Sequence, residues 1–399
     1  MISCAQQLSE GTAMTLLRRL AAPFVALSLL ATPAAAADEQ PVRYTSFTVR
    51  TAHGPAVVHL VTVDLRRAEL GLLHPAEVAQ RATVSAMATA QHALAGVNGD
   101  FFNISETHAG IPATGSSVGP EIADGQDLKF AVPDGQRFGP AMPAGATTKI
   151  VFGTGAGRAR VSTLDLVGTV RSPEGTYDVE GLNQYALPVN GIGAYTHDWG
   201  AVSRARAACG TDADRSAGCT AETEEVVVRH GVVVSEAETL GAGDIPADTV
   251  VLAGRDKGAE ELEALQPGDH VTVGTRMVAE DAAPLRFAVG GFPILAAGQP
   301  VSGLDTAALA PRTAAGASAD GHTVYLMAVD GRTAASTGLS VAELAGVLRS
   351  AGAASGVNLD GGGSTTIAVA DPGQPPTVRN TPSDGTERAV ANGIGAFGR

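Results

Sequence analysis

The chain is organised around one stretch near its C-terminal end, Gly356-Val357-Asn358-Leu359-Asp360-Gly361-Gly362-Gly363-Ser364-Thr365-Thr366. A short apolar run stops at the carboxylate of Asp360, and three consecutive glycines follow it. Because each glycine loses more backbone freedom on folding than any other residue, such a run indicates positive φ or a ligand lying close to the main chain. Its N–H groups would suit a phosphate or a sugar hydroxyl. A glycine-rich hairpin turn containing an Asp is the structural alternative.

A helix is predicted immediately before this stretch. Ser340 and Glu343 form a capping box, with Leu339 and Leu344 at the flanking hydrophobic positions. Apolar residues continue at helical spacing, and Gly352 is a suitable C-terminal stop. The helix would deliver the chain into a buried strand that ends at a carboxylate, where a side chain is held more firmly than on a loop.

Composition and charge describe a globular, acidic protein. Its 399 residues are 44% hydrophobic and 17% charged, and the formal net charge is −14. This length allows one large domain or two, with a substantial core. The acidic balance argues against a nucleic-acid backbone as the main partner, because such a partner requires a basic surface.

The N-terminus has the features of an export signal. Arg18 and Arg19 precede the apolar run of residues 20–30, and Ala35-Ala36-Ala37 fits a small-residue cleavage site. Residues 1–37 are therefore interpreted as a signal peptide, in which residues 1–13 are a misassigned start. The apolar run is too short for a membrane span. The mature protein is expected to be secreted or to lie in the cell envelope, without a stable membrane span.

Two cysteines remain after loss of the signal, Cys209 and Cys219. They bracket a polar loop, so in an oxidising compartment they are expected to form a disulfide. A metal-binding pair is the alternative, but the sequence offers no further thiol or histidine at ligand spacing.

The rest of the chain alternates short strands with few helices. Strand patterns occur at 45–49, 57–61, 148–152, 159–170, 225–228, 232–234, 250–253, 287–295 and 324–329. Helices are predicted at 83–93 and 257–265. The predicted fold class is α+β, with mixed but largely antiparallel sheets and a few packed helices.

Two short motifs occur twice. Gly96-Val97-Asn98-Gly99-Asp100 matches residues 356–360, and residues 190–195 resemble residues 392–397. Either the fold is pseudo-duplicated, or these glycine-rich matches arise by chance.

Three segments complete the predicted organisation. Residues 38–80 form an N-terminal β segment that packs on a catalytic domain of residues 81–399. Residues 104–147 are rich in Gly, Pro and Ala without a sustained period, and are predicted to be a long loop of the kind that often forms a lid. A disulfide-closed insert lies near residues 200–222.

Six motifs, in this order, resemble those of the phosphodiester glycosidase family. They are Asn98-Gly99-Asp100-Phe101-Phe102-Asn103, Gly290-Gly291-Phe292-Pro293, Pro311-Arg312-Thr313-Ala314, Asp330-Gly331-Arg332, Asn358-Leu359-Asp360-Gly361-Gly362-Gly363-Ser364-Thr365 and Glu387-Arg388. The resemblance implies a hydrolase that cleaves glycosyl-1-phosphodiesters between the anomeric carbon and a phosphate oxygen. An N-acetylglucosamine-1-phosphodiester or a cell-envelope glycan would be its substrate. Many members carry a small residue where this chain has Asp100.

Three residues are candidates for the chemistry that this resemblance implies. Arg312 would clamp the phosphate, since a guanidinium engages phosphate oxygens bidentately; a structural salt bridge is the alternative. Asp360 is the candidate general base or nucleophile. Glu387 is the second carboxylate, with a structural network beside Arg388 as its alternative. The sequence gives no carboxylate separation, so retaining and inverting mechanisms both remain open.

The candidate substrate-binding residues surround these groups. Asparagines would orient sugar hydroxyls, while hydroxyl side chains and glycine N–H groups would hold the phosphate. The set comprises Asn98, Asp100, Asn103, Arg332, Asn358, Gly361, Gly362, Gly363, Ser364 and Thr365. The sequence identifies no metal site. A calcium ion held by Asp and carbonyl oxygens is compatible with it, although no loop has EF-hand spacing.

Two other functions compete with hydrolysis. A non-catalytic envelope module would bind anionic glycans without cleaving them, and a structural envelope protein would use only the fold. The joint presence of Arg312, Asp360 and Glu387 favours the enzyme. The costly glycine run argues against a purely structural role.

Overall fold

Strands dominate the part of the chain that the structure, a computed structural model, describes: residues 40–281 and 283–399. The predicted signal peptide lies outside these residues. The first twelve strands are β1 (Val42–Thr51), β2 (Gly54–Asp64), β3 (Ala68–Leu73), β4 (Ala95–Asn98), β5 (Glu121–Ala123), β6 (Gln126–Lys129), β7 (Ile150–Gly155), β8 (Arg158–Arg171), β9 (Thr176–Asp178), β10 (Gly181–Leu182), β11 (Ile192–Tyr195) and β12 (Thr223–Arg229).

Twelve more strands and three α-helices complete the described part of the chain. The strands are β13 (Val232–Ala237), β14 (Thr249–Arg255), β15 (Thr272–Ala279), β16 (Phe287–Gly290), β17 (Phe292–Ala296), β18 (Gln299–Pro300), β19 (Arg312–Ala317), β20 (Thr323–Val329), β21 (Ser355–Asn358), β22 (Ile367–Ala370), β23 (Pro376–Val378) and β24 (Gly393–Gly398). The helices are α1 (Val84–Ala90), α2 (Lys257–Leu262) and α3 (Val341–Ser350).

These strands form four sheets. Sheet 1 has the order β1-β2-β20-β19-β21-β17-β18, and sheet 2 has the order β23-β22-β4-β24-β3. Sheet 3 has the order β15-β8-β7-β16-β5-β6, with β9 beside β8, and sheet 4 has the order β10-β11-β14-β12-β13. Within the described residues, β10 and β11 are the one parallel pair. The largely antiparallel sheets agree with the predicted fold class, but helices contribute less than a balanced α+β protein would have.

One hydrophobic core joins sheets 1, 2 and 3. It contains Leu326 and Val357 from sheet 1, Val97 and Ile394 from sheet 2, and Phe287 from sheet 3, all buried. Side chains alternate across a strand, so each sheet offers one apolar face to this shared core. Because β4 of sheet 2 and β21 of sheet 1 both contribute to it, the residues that follow these two strands are brought close together.

Helix α3 begins as its sequence predicts. The hydroxyl of Ser340 accepts a hydrogen bond from the Glu343 amide at 3.2 Å, and the Glu343 carboxylate accepts one from the Ser340 amide at 2.9 Å. The flanking Leu339 and Leu344 are both fully buried. Gly352 follows the helix at φ +114°, a conformation that favours glycine. The capping box is therefore confirmed.

Residues 104–147, predicted to be one long loop, contain the β5–β6 hairpin. Its turn is Asp124-Gly125, with both residues at positive φ, the geometry for which an Asp-Gly pair is strongly favoured. The prediction missed this hairpin because Glu121 and Lys129, which face each other across it, are charged residues at buried positions. The alternation of polar and apolar residues that normally marks a strand is therefore absent.

The two repeated motifs occupy different places in the sheets. Strands β4 and β21 each end at the Asn of the Gly-Val-Asn-x-Asp pattern. Their partners differ, because β4 lies between β22 and β24, whereas β21 lies between β19 and β17. Strand β11, which carries the second repeated motif, pairs with β10 and β14 in sheet 4, whereas its match β24 pairs with β3 and β4 in sheet 2.

A disulfide joins Cys209 to Cys219, as the sequence predicted. The loop that it closes contacts the segment after the β5–β6 hairpin. The Gly135 amide donates to the Asp212 carbonyl at 2.8 Å, and the Gln136 side chain donates to the Thr211 carbonyl at 2.6 Å. The disulfide-closed loop therefore holds residues 134–136 in place.

The cap of α3 provides a test of the fold. We expect Ser340→Ala to lower the free energy of unfolding by about 1 kcal/mol, because the Glu343 amide loses its acceptor. Ser340→Thr, which keeps the hydroxyl, should cost much less. Urea unfolding followed by circular dichroism measures both. Equal losses for the two variants would contradict a capping role for the hydroxyl.

Candidate active site

The centre of the site is a backbone connection between the two Gly-Val-Asn-x-Asp motifs. The Asp360 amide donates to the Gly99 carbonyl at 2.9 Å, and the Asn98 side chain donates to the Asp360 carbonyl at 2.7 Å. The Asn98 side-chain oxygen accepts from the Thr313 hydroxyl at 2.7 Å and from the Thr366 amide at 3.0 Å. Asn98 thus joins the strands that carry three of the six motifs. Because both its side-chain nitrogen and its side-chain oxygen are already hydrogen-bonded to the protein, little hydrogen-bonding capacity remains for a sugar.

Asp100 is buried and held on both of its oxygens. One oxygen accepts from the Phe101 amide at 2.8 Å and the other from the Gly119 amide at 2.5 Å, while the Asp100 amide donates to the Asn392 side chain at 2.9 Å. A Cβ at Gly290 would lie 2.2 Å from the Asp100 carboxylate, so no larger residue fits there. The Gly-Gly motif at 290–291 is explained by this close approach.

The two aspartates have raised pKa values. Burial raises the pKa of Asp100 to about 6, against the opposing effects of the Gly119 amide and the Lys129 ammonium. Burial raises the pKa of Asp360 to about 7, against hydrogen bonds from Ser364 and the Gly361 amide and the charge of Arg388; the carboxylate of Asp100 adds to the rise. Carboxyl groups with pKa values near neutrality can exchange protons at physiological pH.

Two guanidinium groups face the glycine run. A Cβ at Gly363 would lie 2.1 Å from an Arg388 guanidinium nitrogen, and one at Gly362, which has φ +60°, would lie 3.2 Å from the Arg332 guanidinium. Arg388 is paired with Asp384. Arg332 is exposed, and within residues 40–281 and 283–399 its side chain makes no hydrogen bond or ion pair. The missing Cβ atoms leave the run open to anions beside two positive charges.

Arg312 also reaches the glycine run, but its guanidinium binds the protein. A Cβ at Gly361 would lie 3.8 Å from Arg312 Cδ. The guanidinium donates to the Leu339 carbonyl at 2.9 Å and to the Ala308 carbonyl at 2.5 Å, and lies 3.9 Å from the Asp305 carboxylate. Two of its nitrogens therefore support the loops around the site.

Glu387 lies at the N-terminal end of α1. Its carboxylate accepts from the Ser85 amide at 2.9 Å and also from the Ser85 hydroxyl. An acidic group at a helix N-terminus is stabilised by the unpaired amides of the first turn. The carboxylate that raises the pKa of Asp360 in this site is that of Asp100.

The remaining candidates divide into two groups. Asn103 is fully buried, and its oxygen accepts from the Thr114 amide at 2.6 Å and hydroxyl at 3.1 Å, so it shapes the chain after the first motif. Ser364 contacts both Asp360 and Arg388. Among the described residues, the side-chain oxygens of Asn358 and Thr365 are buried without a hydrogen-bond partner. These last two retain capacity for a ligand.

Sequence reasoning missed a second set of residues around Asp100. Asp100 lines a small cavity together with Arg137, Thr148 and two phenylalanines, Phe101 and Phe292. The Arg137 guanidinium lies 5.6 Å and 5.8 Å from the centres of these two rings. Arg137 comes from the segment predicted as a loop, where an isolated arginine carries no pattern that could have identified it.

One cluster of metal-ligating side chains occurs within the described residues. His108 lies beside Cys209 and Cys219, with the ligand atoms of all three within 4.8 Å of one another. Both sulfurs are consumed by the disulfide, which leaves His108 as a single ligand. His108 also binds the Glu106 carboxylate at 2.6 Å, and this pair is structural in the present state.

Comparison with known proteins finds a family match for the C-terminal part of the chain, which supplies most of this site. Residues 222–397 match the model of the phosphodiester glycosidase family. This region resembles that family. The matched region contains five of the six motifs, whereas the motif with Asn98 and Asp100 lies before it. The phosphodiester glycosidase region thus supplies Asp360, the glycine run and the arginines, and the preceding residues supply Asp100.

Solved structures show the same fold over most of the chain. A hypothetical protein from Synechocystis is 21% identical, with a TM-score of 0.68 over 90% of this chain. This chain spans 62% of the length of that protein. An exported-protein candidate from Burkholderia pseudomallei K96243 is 28% identical, with a TM-score of 0.65, over 86% of this chain and 74% of that one.

More distant and negative results complete the comparison. The catalytic domain of zebrafish N-acetylglucosamine-1-phosphodiester alpha-N-acetylglucosaminidase, auto-inhibited by its pro-peptide, is 15% identical with a TM-score of 0.43, over 91% of this chain and 85% of that one. No curated protein matches the sequence significantly. Among the described residues of this chain, no helix is both long enough and apolar enough to cross a membrane.

The raised pKa of Asp360 predicts a pH-dependent gain of stability on its replacement. A carboxyl group whose pKa is raised by folding stabilises the fold below about pH 4, and this contribution is lost as the pH rises through about 7. Asp360→Asn should therefore raise the free energy of unfolding at pH 8, on the order of a few kcal/mol, and change it little at pH 4.

Thermal unfolding at both pH values measures this difference. The exposed Asp244 provides the control, because Asp244→Asn should change the melting temperature little at either pH. A melting temperature of Asp360→Asn at or below that of the wild type at pH 8 would show that the ionised carboxylate is not strained in the fold.

Proposed function

We propose that this chain is an exported hydrolase of glycosyl-1-phosphodiesters, which it cleaves between the anomeric carbon and a phosphate oxygen. The observation that carries the proposal is the juxtaposition of two carboxyl groups with raised pKa values and a glycine run faced by arginines. The match of residues 222–397 to the phosphodiester glycosidase family supports the same reaction. The disulfide and the similarity to an exported-protein candidate support export.

The phosphate is proposed to bind over Gly361, Gly362 and Gly363. Arg332 offers a guanidinium with no hydrogen-bond or ion-pair partner in the described part of the chain, and Arg388 offers a second charge whose pairing with Asp384 is partly exposed. The glycine N–H groups and the Ser364 hydroxyl would supply further donors. A phosphate is already a good leaving group, so stabilisation of its charge matters more than a strong general acid. Arg312 would stabilise the loops around this site through its hydrogen bonds to the Leu339 and Ala308 carbonyls.

Asp360 is proposed to move the proton in the reaction. It is partly exposed beside the glycine run, and its pKa of about 7 suits a group that activates a water molecule near neutral pH. Asp100 is fully buried with both oxygens bound by amides, so its proposed role is to supply negative charge opposite the anomeric carbon. The positive charge that develops on that carbon would be stabilised by the ionised Asp100.

The two repeated motifs are then counterparts in function. Each strand ends at an asparagine and is followed two residues later by one of the two aspartates of the proposed site. Glu387 is proposed to support the site indirectly, since it fixes the chain next to Arg388 by binding Ser85. Sugar hydroxyls would find free acceptors at the Asn358 and Thr365 side chains.

The direct test is hydrolysis by the purified protein. Incubation with UDP-N-acetylglucosamine and with simple α- and β-linked sugar phosphodiesters should release free sugar from at least one of them. Proton NMR of the first product gives its anomeric configuration and so distinguishes a retaining from an inverting reaction. A protein that binds these compounds in calorimetry but releases no sugar would be a glycan-binding module instead.

Two substitutions separate the proposed roles. Asp360→Asn keeps size and shape but cannot accept a proton, so turnover should fall below detection while binding survives. Arg332→Ala removes a charge-stabilising donor and should reduce kcat/KM by about 10²–10³-fold, the usual effect of such a loss. Arg349→Ala, at an exposed arginine on α3 that bonds to Gln299, is the matched control and should leave the rate unchanged. Wild-type activity in Asp360→Asn would refute the assignment.

A further inference from the structure

The β5–β6 hairpin buries two opposite charges directly behind Asp100. Glu121 and Lys129 are a cross-strand pair, and both are almost completely removed from solvent. Burial of an ionised group is costly unless each of its polar atoms finds a partner. The Lys129 ammonium has three carbonyl partners, whereas one of the two Glu121 carboxylate oxygens has none among the described residues.

Lys129 fixes one of the two amides that bind Asp100. Its ammonium group donates to the Phe130 carbonyl at 2.7 Å, to the Gly119 carbonyl at 2.8 Å and to the Val118 carbonyl at 3.4 Å. The amide of the same Gly119 donates to the Asp100 carboxylate at 2.5 Å. Lys129 therefore holds Gly119 in the orientation that presents its amide to Asp100.

Glu121 fixes the group that binds Asp100 from the opposite side. One Glu121 oxygen accepts from the Asn392 side chain at 2.7 Å and from the Ser117 hydroxyl at 2.5 Å. The oxygen of the same Asn392 side chain accepts from the Asp100 amide at 2.9 Å. A Cβ at Gly99 would lie 2.1 Å from that oxygen, so Asn392 fits closely under the first motif.

We propose that Lys129 and Glu121 are positioning residues, which orient Asp100 and set its charge for the reaction under "Proposed function". The inference rests on that function, because the orientation of Asp100 matters only if Asp100 faces the reacting carbon. Neither residue touches the glycine run. Both act through a single intermediary, the Gly119 peptide for Lys129 and the Asn392 side chain for Glu121.

The charges around Asp100 come from three parts of the chain. Lys129 and Glu121 belong to the hairpin, Arg137 follows it, and Asp360 approaches from the end of β21. Burial lowers the pKa of Lys129 to about 8, with Glu121 and Asp100 opposing that effect, so the ammonium remains largely charged at pH 7. Its positive charge offsets part of the burial that raises the pKa of Asp100.

Two variants are expected to shift the pKa of Asp100 in opposite directions. Lys129→Met removes the positive charge and keeps the length of the side chain, so the pKa of Asp100 should rise by about one unit or more. Glu121→Gln removes the negative charge and keeps an acceptor for Asn392, so the pKa of Asp100 should fall as long as Lys129, whose own pKa Glu121 raises, stays protonated. Lys149→Met is the matched control, because Lys149 is half-exposed and pairs with Asp165 on the surface.

Carbon-13 NMR of aspartate-labelled protein reads these values without substrate. Asp100→Asn identifies the resonance, which is then titrated in the wild type and in each variant. Opposite displacements in the two hairpin variants, with none in Lys149→Met, support the proposal. An unchanged pKa in Lys129→Met overturns it, and so does a displacement in the same direction in both variants at a pH where Lys129 of Glu121→Gln is protonated. If Lys129→Met fails to fold, the displacement in Glu121→Gln decides alone.

Turnover supplies the second measurement and separates this proposal from the function on which it rests. On a substrate that the wild type cleaves, both Asp360 and Asp100 must be ionised, so the acid limb of the pH profile of kcat reports both groups. In Lys129→Met this limb should become steeper and move upward as the pKa of Asp100 rises towards that of Asp360, with KM changed less than kcat. A limb unchanged in position and steepness, together with a displaced pKa of Asp100, would remove Asp100 from the reaction and overturn the proposal. A wild type that cleaves no sugar phosphodiester contradicts the proposed function, while the NMR titration still tests the positioning of Asp100.

Discussion

The structure depends on the connection between the ends of two strands from different sheets. The Asp360 amide binds the Gly99 carbonyl, and the Asn98 side chain binds the Asp360 carbonyl, so neither strand end can move without the other. Amides and carbonyls in a protein interior must be paired. Here the ends of β4 and β21 supply each other's hydrogen-bond partners, and Asp100 and Asp360, which follow these strands, are therefore held close together. The shared core of sheets 1, 2 and 3 supplies the packing that makes this arrangement stable.

Burial of two acidic side chains in one place has a thermodynamic cost and a chemical consequence. Desolvation raises both pKa values towards neutrality, so at pH 7 the fold carries charge in surroundings that disfavour it. Carboxyl groups with such pKa values can exchange protons at physiological pH. Amides around Asp100 and arginines beside Asp360 limit the cost, which explains why this part of the molecule is rich in glycine: amides and guanidinium groups can approach the carboxylates only where no Cβ intervenes.

The phosphodiester glycosidase region does not contain the whole site. The family match begins at residue 222, yet Asp100 and the groups that hold it, Glu121, Lys129 and Arg137, precede it. These residues reach the site through sheet 3, in which β5 pairs with β16 immediately before the Gly290-Gly291 motif. The first half of the chain is thus proposed to adjust the charge of Asp100 in a site that draws five of its six motifs from the other half. The disulfide-closed loop holds the same segment in place through Gly135 and Gln136.

The sequence by itself determined the local features, because each depends on neighbours in the chain. These were the capping box of α3, the Cys209–Cys219 disulfide, the antiparallel hairpins, and the glycine run after Asp360. Only the tertiary structure decided which distant groups meet. It placed Asp360 near Asp100, bonded Glu387 to Ser85, and bonded Arg312 to the carbonyls of Leu339 and Ala308. Within the described residues it left the Arg332 side chain without a hydrogen bond or ion pair. It also revealed Glu121 and Lys129 as a buried pair in a segment expected to be a loop. A partner's identity and the exposure of a charge depend on the packing of whole sheets, and no local pattern encodes them.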